Sequence, residues 1–119
     1  MQDSAQVSEI VRKLYASFAA KDRRTVEALL SDDFTFSSPR DDHIDKAAYF
    51  ERCWPNSDKI RAFDIEQLFA NDHEAFVRYA AERSADGTRF RNTEYLRVEG
   101  GKVREVDVYF GRDLPRRGG

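Results

Sequence analysis

Residues 89–110 read RFRNTEYLRVEGGKVREVDVYF, and their pattern of side chains indicates a β-hairpin. Apolar and polar side chains alternate on both sides of Gly100 and Gly101, which is the period of a β-strand with one buried face. Two adjacent glycines tolerate the positive φ angles that tight hairpins need. The stretch therefore predicts two antiparallel strands, over 89–98 and 103–110, joined by a short turn.

The same alternation continues towards the N-terminus. It predicts two further strands, over 60–69 and 75–83, so that four strands follow one another. Residues 71–72 (Asn-Asp) and 86–87 (Asp-Gly) are types that favour turns. Such short connections imply antiparallel neighbours. His73 lies in the first of these turns, and we interpret it as structural.

The period changes to that of helices in the N-terminal part of the chain. Apolar side chains recur at three- and four-residue steps over 7–18, which predicts a first helix from the N-cap Ser4 to about Ala20. A second, short helix is predicted over 23–30, with Asp22 as its N-cap.

One strand and one helix are predicted between these helices and the four strands. Residues 34–38 alternate large apolar with small polar side chains, and Pro39 ends the strand. Residues 44–51 form an amphipathic pattern that predicts a third helix, finishing near Trp54 and Pro55. The order of elements predicts an α+β fold in which helices cover one face of a strongly curved, mainly antiparallel sheet and enclose an apolar pocket.

The length of 119 residues fits one domain over 1–119, because single hydrophobic cores usually occur in units of about 100–150 residues. The 40% hydrophobic and 13% aromatic content supplies enough large side chains for one core. Residues from about 112 to 119 are rich in Pro, Gly and Arg, and we expect a flexible, solvated tail there.

The net charge and the absence of long apolar segments argue against several classes of partner. The 20 basic and 22 acidic residues leave a net charge of −2, which argues against nucleic acid as a partner. No apolar run approaches the length of a membrane span, and the first residues do not form a signal peptide pattern. The single Cys53 forms no internal disulfide and is interpreted as a small core residue. We therefore expect a cytoplasmic protein that contacts neither membrane nor nucleic acid.

The order of elements and several residues resemble the nuclear transport factor 2-like superfamily, in its SnoaL-like and ketosteroid isomerase-like branch. The resemblance covers nearly the whole chain and rests on three segments in this order: the end of the first helix at 21–22, residues 29–39, and residues 94–111. It implies a cone-shaped domain with a pocket between the helices and the concave sheet face, and dimerisation through the outer sheet face. It also implies a wide range of activities, from isomerases, cyclases, dehydratases and hydrolases to domains without catalysis.

Strand alternation selects the side chains that would line the pocket, and helix periodicity adds a few more. These predicted pocket residues are Leu14, Phe18, Phe34, Phe36, Ser38, Trp54, Phe63, Ile65, Val77, Tyr79, Asn92, Val106, Val108 and Phe110. An apolar wall with a few polar points suits a small apolar ligand. The alternative is that the same aromatic side chains simply fill a packed core.

Glu94 has the inward parity on its predicted strand. Burial disfavours a charged carboxylate and raises its pKa, so Glu94 could act as a general acid or base. The resemblance adds that the matching position in the isomerase-like pattern holds the acid of the oxyanion hole. The alternative is a plain ion pair of Glu94 with Arg104 or Arg83.

Two positions depart from the isomerase-like pattern. Ser38 stands where that pattern has its general-base aspartate, and a hydroxyl cannot by itself abstract a proton from carbon. Leu14 stands where the pattern has the phenol of its oxyanion hole, and Tyr15 is one position along. Because one residue is about 100° around a helix, we expect that Tyr15 does not simply substitute.

His43 follows two aspartates in the loop after the first strand. Histidine exchanges protons readily near neutral pH, so His43 is a second catalytic candidate beside Glu94. The alternative is a surface or helix-capping residue. Two distant histidines and one cysteine give no metal-ligand spacing, and no glycine-rich phosphate loop is present, so neither metal nor cofactor is expected.

Two functions remain open from sequence. The first is a SnoaL-like domain that binds a small apolar carbonyl or hydroxyl compound, as a cofactor-free acid/base enzyme. The second is a non-catalytic ligand-binding or dimerisation module. The interface of that module would be the outward set Arg91, Thr93, Tyr95, Glu105, Asp107 and Tyr109.

Overall fold

The structure, a computed structural model, describes residues 2–115. Two helices, two strands and two further helical segments make up the first half of the chain, and strands alone follow. In order these are α1 (Ser4–Ala19), α2 (Arg23–Leu29), β1 (Leu30–Ser38), β2 (Asp41–Asp45), α3 (Lys46–Arg52), a 3-10 helix (Trp54–Lys59), β3 (Ile60–Ala70), β4 (Glu74–Arg83), β5 (Arg89–Glu99) and β6 (Lys102–Asp113).

The six strands form one sheet in the order β2-β1-β6-β5-β4-β3. β1 pairs with β6 in parallel, and every other neighbouring pair is antiparallel. Register shifts interrupt the β1–β2, β3–β4 and β5–β6 pairs, and such irregularities bend strands and increase their twist. The helices cover one face of this curved sheet, which confirms the predicted α+β fold.

The four C-terminal strands occur where alternation predicted them. Gly87, Gly100 and Gly101 have positive φ angles in the two predicted glycine turns. In the turn before β4, the Asn71 side chain accepts hydrogen bonds from the backbone N–H groups of His73 and Glu74. β6 continues to Asp113, so the predicted tail does not begin at 112, and residues 116–119 lie outside the described residues.

The first helix begins one residue earlier than predicted. Asp3 is its N-cap, and Asp3 and Gln6 exchange side-chain-to-backbone hydrogen bonds in a capping box. Asp22 caps α2 as predicted, but Leu30 already belongs to β1. Ser4 is therefore the first residue of the helix.

β2 is the strand that the sequence did not predict. Residues 41–45 pair with β1 as an edge strand, and Ile44, predicted as helical, is part of it. Asp45 then caps α3 by accepting from the N–H of Ala48. The third helix is thus shorter than predicted.

The hydrophobic core lies between the helices and the covered face of the sheet. Val7 and Val11 of α1, Val26 of α2 and Phe34 of β1 are buried there. Among residues 2–115, no helix has the length and apolar character needed to cross a membrane.

Candidate functional site

A cavity of about 250 Å³ opens between α1, α3 and the covered face of the sheet. Its surface is mainly aromatic and aliphatic, with a small number of polar groups. The lining residues are Leu14, Tyr15, Phe18, Leu30, Phe34, Phe36, Ser38, Arg40, Asp41, Tyr49, Cys53, Asn56, Ile60, Phe63, Tyr79, Phe90, Asn92, Glu94, Val106, Val108 and Phe110. The interior is therefore not filled by its own aromatic side chains.

Glu94 lies at the floor of the cavity, held by two tyrosine hydroxyls. Tyr15 Oη donates to Glu94 Oε1 at 2.6 Å, and Tyr79 Oη donates to Glu94 Oε2 at 2.5 Å. The Asn92 amide donates to Tyr79 Oη at 3.3 Å. These four side chains form one polar cluster surrounded by apolar wall.

Three structural elements bring this cluster together. Glu94 lies in the middle of β5, on the covered face of the sheet, and Tyr79 and Asn92 are direct partners across β4 and β5. Tyr15 approaches from α1, and its ring contacts that of Tyr79 at 5.3 Å between centroids. The Asn92 side-chain oxygen also accepts from the backbone N–H of Gly111, which fixes the amide to β6.

Burial controls the protonation of the cluster. It raises the pKa of Glu94 above the ordinary carboxyl value, against the opposing effect of the two tyrosine hydrogen bonds. Burial and the neighbouring Glu94 carboxyl raise the pKa values of Tyr15 and Tyr79, so both hydroxyls keep their protons. Burial therefore favours the protonated form of Glu94, the carboxyl of this cluster.

The exposed lining residues mark the opening of the cavity. Arg40, Asn56 and Phe110 are exposed, and the Arg40 guanidinium lies 5.8 Å from the centroid of the Phe110 ring. Asp41 lies beside them with its side chain only 11% exposed. Arg52 Nη2 is 2.6 Å from Asp41 Oδ1, as a charge contact without the alignment of a hydrogen bond.

Most of the predicted pocket residues do line the cavity. They are Leu14, Phe18, Phe34, Phe36, Ser38, Phe63, Tyr79, Asn92, Val106, Val108 and Phe110, and Glu94, predicted as a catalytic residue, also lines the cavity. The three other predicted pocket residues do not line it. Ile65 and Val77 pack within the core, and Trp54 packs against the ring of Phe18 at 5.4 Å instead of reaching the cavity.

His43 lies outside the cavity lining. It occupies β2 with a positive φ of 49°, and its side chain is 65% exposed. Its Nδ1 is 2.6 Å from an Asp42 carboxylate oxygen, and this contact raises the pKa of His43. The structure therefore corrects the prediction that placed His43 with Glu94.

The ion-pair alternative for Glu94 is also wrong. Arg83 pairs with Asp113 at 2.9 Å, and Arg104 pairs with Glu99 at 2.9 Å. No cation pairs with Glu94 among residues 2–115. The buried carboxyl is stabilised by hydroxyl groups alone.

Tyr15 lines the cavity and contacts Glu94, although its position one residue after Leu14 argued against such a role. It follows Val7 and Val11 at steps of four residues, and all three are buried on one face of α1. That periodicity was the signal for its inward position. Asp41 and Asn56 had no comparable signal, because Asp41 follows a turn in a polar stretch and Asn56 lies in the 3-10 helix after Pro55.

Residues 2–115 contain no cluster of three or more His, Cys, Asp and Glu side chains that could hold a metal ion. Cys53 lines the cavity as a half-buried thiol, and burial raises its pKa to about 11. A thiol with so high a pKa is a poor nucleophile.

Known structures share this fold over most of their length. A provisionally named ketosteroid isomerase from Kribbella flavida has a TM-score of 0.78 at 19% identity, over 100% of this chain and 87% of that one. A nuclear transport factor 2-like protein of unknown function from Mesorhizobium loti has a TM-score of 0.74 at 23% identity, over 91% and 93%. An LEH-like epoxide hydrolase from M. tuberculosis has a TM-score of 0.74 at 16% identity, over 91% and 84%.

At these identities the structures establish the fold and not the reaction. A comparison with curated proteins finds no significant sequence match. The sequence model of the SnoaL-like domain family matches residues 11–106, which include both Tyr15 and Glu94. The chain therefore belongs to the SnoaL-like domain family of the nuclear transport factor 2-like superfamily.

Proposed function

We propose that this protein binds a small apolar compound with a carbonyl or hydroxyl oxygen and catalyses cofactor-free proton transfer on it. The environment of Glu94 supports this most directly. Its carboxyl is buried, its hydrogen-bond partners are hydroxyl groups only, and it lines an open apolar cavity. Burying a carboxyl without a cation is costly, so a purely structural role would be better served by an apolar side chain.

The cluster is suited to a change of charge on the ligand oxygen. Protonated Glu94 donates a hydrogen bond to a carbonyl oxygen and stabilises the negative charge that develops there. Ionised Glu94 accepts a proton from a hydroxyl instead. Tyr15 and Tyr79 hold the carboxyl in place in both states, because each donates to a different oxygen.

The cavity limits the size of the ligand. A volume of about 250 Å³ lies just below the range of about 300–1,000 Å³ that is usual for drug-sized ligands. Phe34, Phe36 and Val108 supply apolar walls on the sheet side. One- and two-ring compounds therefore suit the cavity best.

Asp41 is the second carboxylate of the cavity and takes the role of general base in this proposal. It is largely buried, it contacts Arg52, and it lies three residues beyond Ser38 on the same side of the opening. A base at the opening and an acid at the floor address two different atoms of one ligand. In this proposal Asp41 removes a proton from the carbon next to the carbonyl while Glu94 protonates or hydrogen-bonds the oxygen.

The experiment follows hydrogen–deuterium exchange on 2-tetralone, a two-ring ketone with acidic protons next to its carbonyl. The ketone is incubated with the protein in D₂O and its α-protons are followed by NMR. We expect exchange above the buffer rate, lost in Glu94→Gln and in Asp41→Asn. If 2-tetralone saturates the cavity but exchanges its α-protons only at the buffer rate, the protein binds the ketone and does not catalyse proton transfer.

His43→Ala is the matched control among the titratable residues. Its side chain is exposed and outside the cavity lining, so we expect exchange at the wild-type rate. A loss of exchange as large as that in Asp41→Asn would show that His43 takes part in the proton transfer, and this would contradict the proposed geometry.

A second candidate function is a dimerisation module, and the outer sheet face favours it. Phe69, Phe76 and Tyr109 are 70%, 52% and 53% exposed. Phe69 and Phe76 are direct partners across β3 and β4, and the Phe76 ring lies 5.3 Å from that of Tyr95. A second copy of the chain would bury these exposed aromatic side chains.

Sedimentation equilibrium tests this second candidate. We expect the wild type to sediment at twice 13.8 kDa at micromolar concentration and Phe76→Lys to sediment as a monomer. A wild-type mass near 13.8 kDa would exclude the dimer without affecting the proposal for the cavity.

A further inference from the structure

We infer that the ligand of the cavity carries an anionic group, which binds in a basic groove at the opening. This inference rests on the proposed function, because it assigns the substrate class of the same site. It predicts an amphiphilic compound, with an apolar body and an oxygen at Glu94 in the cavity and a carboxylate or tetrahedral oxyanion outside.

The groove is continuous with the cavity. It runs along the end of the 3-10 helix and the last residues of β6. The residues that line both the cavity and the groove are Arg40, Asn56, Ile60, Phe90, Asn92 and Phe110. A ligand longer than the cavity would therefore pass directly into the groove.

The groove is basic in an otherwise slightly acidic protein. Arg40, Lys59, Arg83 and Arg112 line it, against Asp58 and Asp113, whereas the whole chain has a net charge of −2. Asp113 is already paired with Arg83. The remaining charges favour an anion over a cation in this groove.

Arg40 is the side chain that connects the two regions. It is the one basic residue in the cavity lining, and it has no carboxylate partner among residues 2–115. By contrast, Arg52, Arg78 and Arg91 all pair with carboxylates of the protein.

The position of Arg40 is set by the turn that carries it. Its backbone N–H donates to Ser38 Oγ at 3.1 Å, and its guanidinium lies over the Phe110 ring. This places a planar donor group at the cavity opening, with an aromatic surface behind it. Such a group binds carboxylates and tetrahedral oxyanions through charge-assisted hydrogen bonds.

A series of two-ring probes with one hydroxyl tests the inference. The probes are 2-naphthol, 6-hydroxy-2-naphthoate, its neutral amide and 6-hydroxynaphthalene-2-sulfonate, and their dissociation constants are measured by calorimetry. We expect the carboxylate or the sulfonate to bind about five- to tenfold more tightly than the amide, as charge-assisted contacts at a partly exposed site allow. The stronger of the two anions identifies planar or tetrahedral recognition.

Arg40→Gln and Arg12→Gln remove the same charge from different surfaces. Arg12 is exposed on α1 and lines neither the cavity nor the groove. We expect Arg40→Gln to abolish most of the advantage of the anion over the amide, and Arg12→Gln to preserve it. Equal losses in the two variants would overturn the inference, because they would report net charge alone.

Wild-type protein provides a test that does not depend on any variant. We expect the advantage of the anion over the amide to fall as salt rises from about 20 mM to about 500 mM, since an exposed charge contact is screened. Anions that bind no better than the amide at low salt overturn the inference, while binding of 2-naphthol and the amide leaves the proposed function intact. Absence of binding by every probe overturns both.

Discussion

Replacing Tyr15 by Phe removes one hydroxyl from the cavity floor and keeps the ring in place. The ring still packs against Phe63 and Tyr79, at 5.4 Å and 5.3 Å between centroids. What is lost is the buried 2.6 Å hydrogen bond to Glu94 Oε1. The substitution therefore isolates the interaction of one hydroxyl with one buried carboxyl.

The cost depends on the charge of Glu94. A hydrogen bond to a neutral partner contributes about 0.5–1.5 kcal/mol to stability, and one to a charged partner about 1.5–3 kcal/mol. Tyr15 keeps its proton in both charge states of Glu94, because burial raises the pKa of Tyr15 well above the ordinary value. We expect Tyr15→Phe to cost about 1 kcal/mol where Glu94 is protonated and about 2–3 kcal/mol where it is ionised, so the cost rises with pH.

Urea unfolding followed as a function of pH measures how the cost changes as Glu94 ionises. Tyr95→Phe is the matched control, because Tyr95 Oη also donates to a glutamate, Glu74, at 2.6 Å, but in a partly buried position on the outer face. The hydrogen bond from Tyr95 lowers the pKa of Glu74 instead of leaving it raised, so Glu74 stays ionised and we expect a smaller cost that does not change with pH. A Tyr15→Phe cost that equals the control, or that falls with pH, would show that the Tyr15 hydroxyl does not stabilise an ionised, buried Glu94.

Other substitutions test the neighbouring parts of the account. Burial raises the pKa of Glu94 above 4.5, so the stability of the wild type relative to Glu94→Gln should be greatest at acid pH and should fall as pH rises through the folded-state pKa; a difference that grows with pH in urea unfolding would contradict this. Gly111→Ala places a Cβ 1.9 Å from the Arg91 carbonyl oxygen, so we expect a loss of about 2–3 kcal/mol and weaker probe binding, and an unchanged midpoint would refute it. Phe34→Ala should cost about 3–5 kcal/mol, because Phe34 is 1% exposed, and calorimetry would show this as a lower Tm.

The C-terminal strands were predictable because their signals are local. Alternation of apolar and polar side chains predicted each strand, and Gly87, Gly100 and Gly101 predicted two of the turns. β2 was missed because it is a short, polar edge strand, and edge strands often carry charges that resemble a loop in sequence. The parallel pairing of β1 with β6 joins distant parts of the chain, and no local pattern specifies it.

Alternation predicted which face of the sheet each site residue occupies, but not whether its side chain reaches the cavity. Alternation assigned Val77 and Glu94 to the covered face, and the structure makes them direct partners across β4 and β5. Only Glu94 reaches the cavity, because the elements above the sheet decide where packing ends and open space begins. Tyr15 was dismissed on its offset from Leu14, yet a helix face is wide enough for both side chains to line one cavity.

A crystal structure of the protein with 2-naphthol would show whether the ligand oxygen meets Glu94 inside the cavity. We expect the two rings inside the cavity and the naphthol oxygen within about 3 Å of the Glu94 carboxyl or the Tyr79 hydroxyl, as a hydrogen bond requires. Naphthol bound only on the outer sheet face, or seated in the cavity with its oxygen turned away from Glu94, would contradict it.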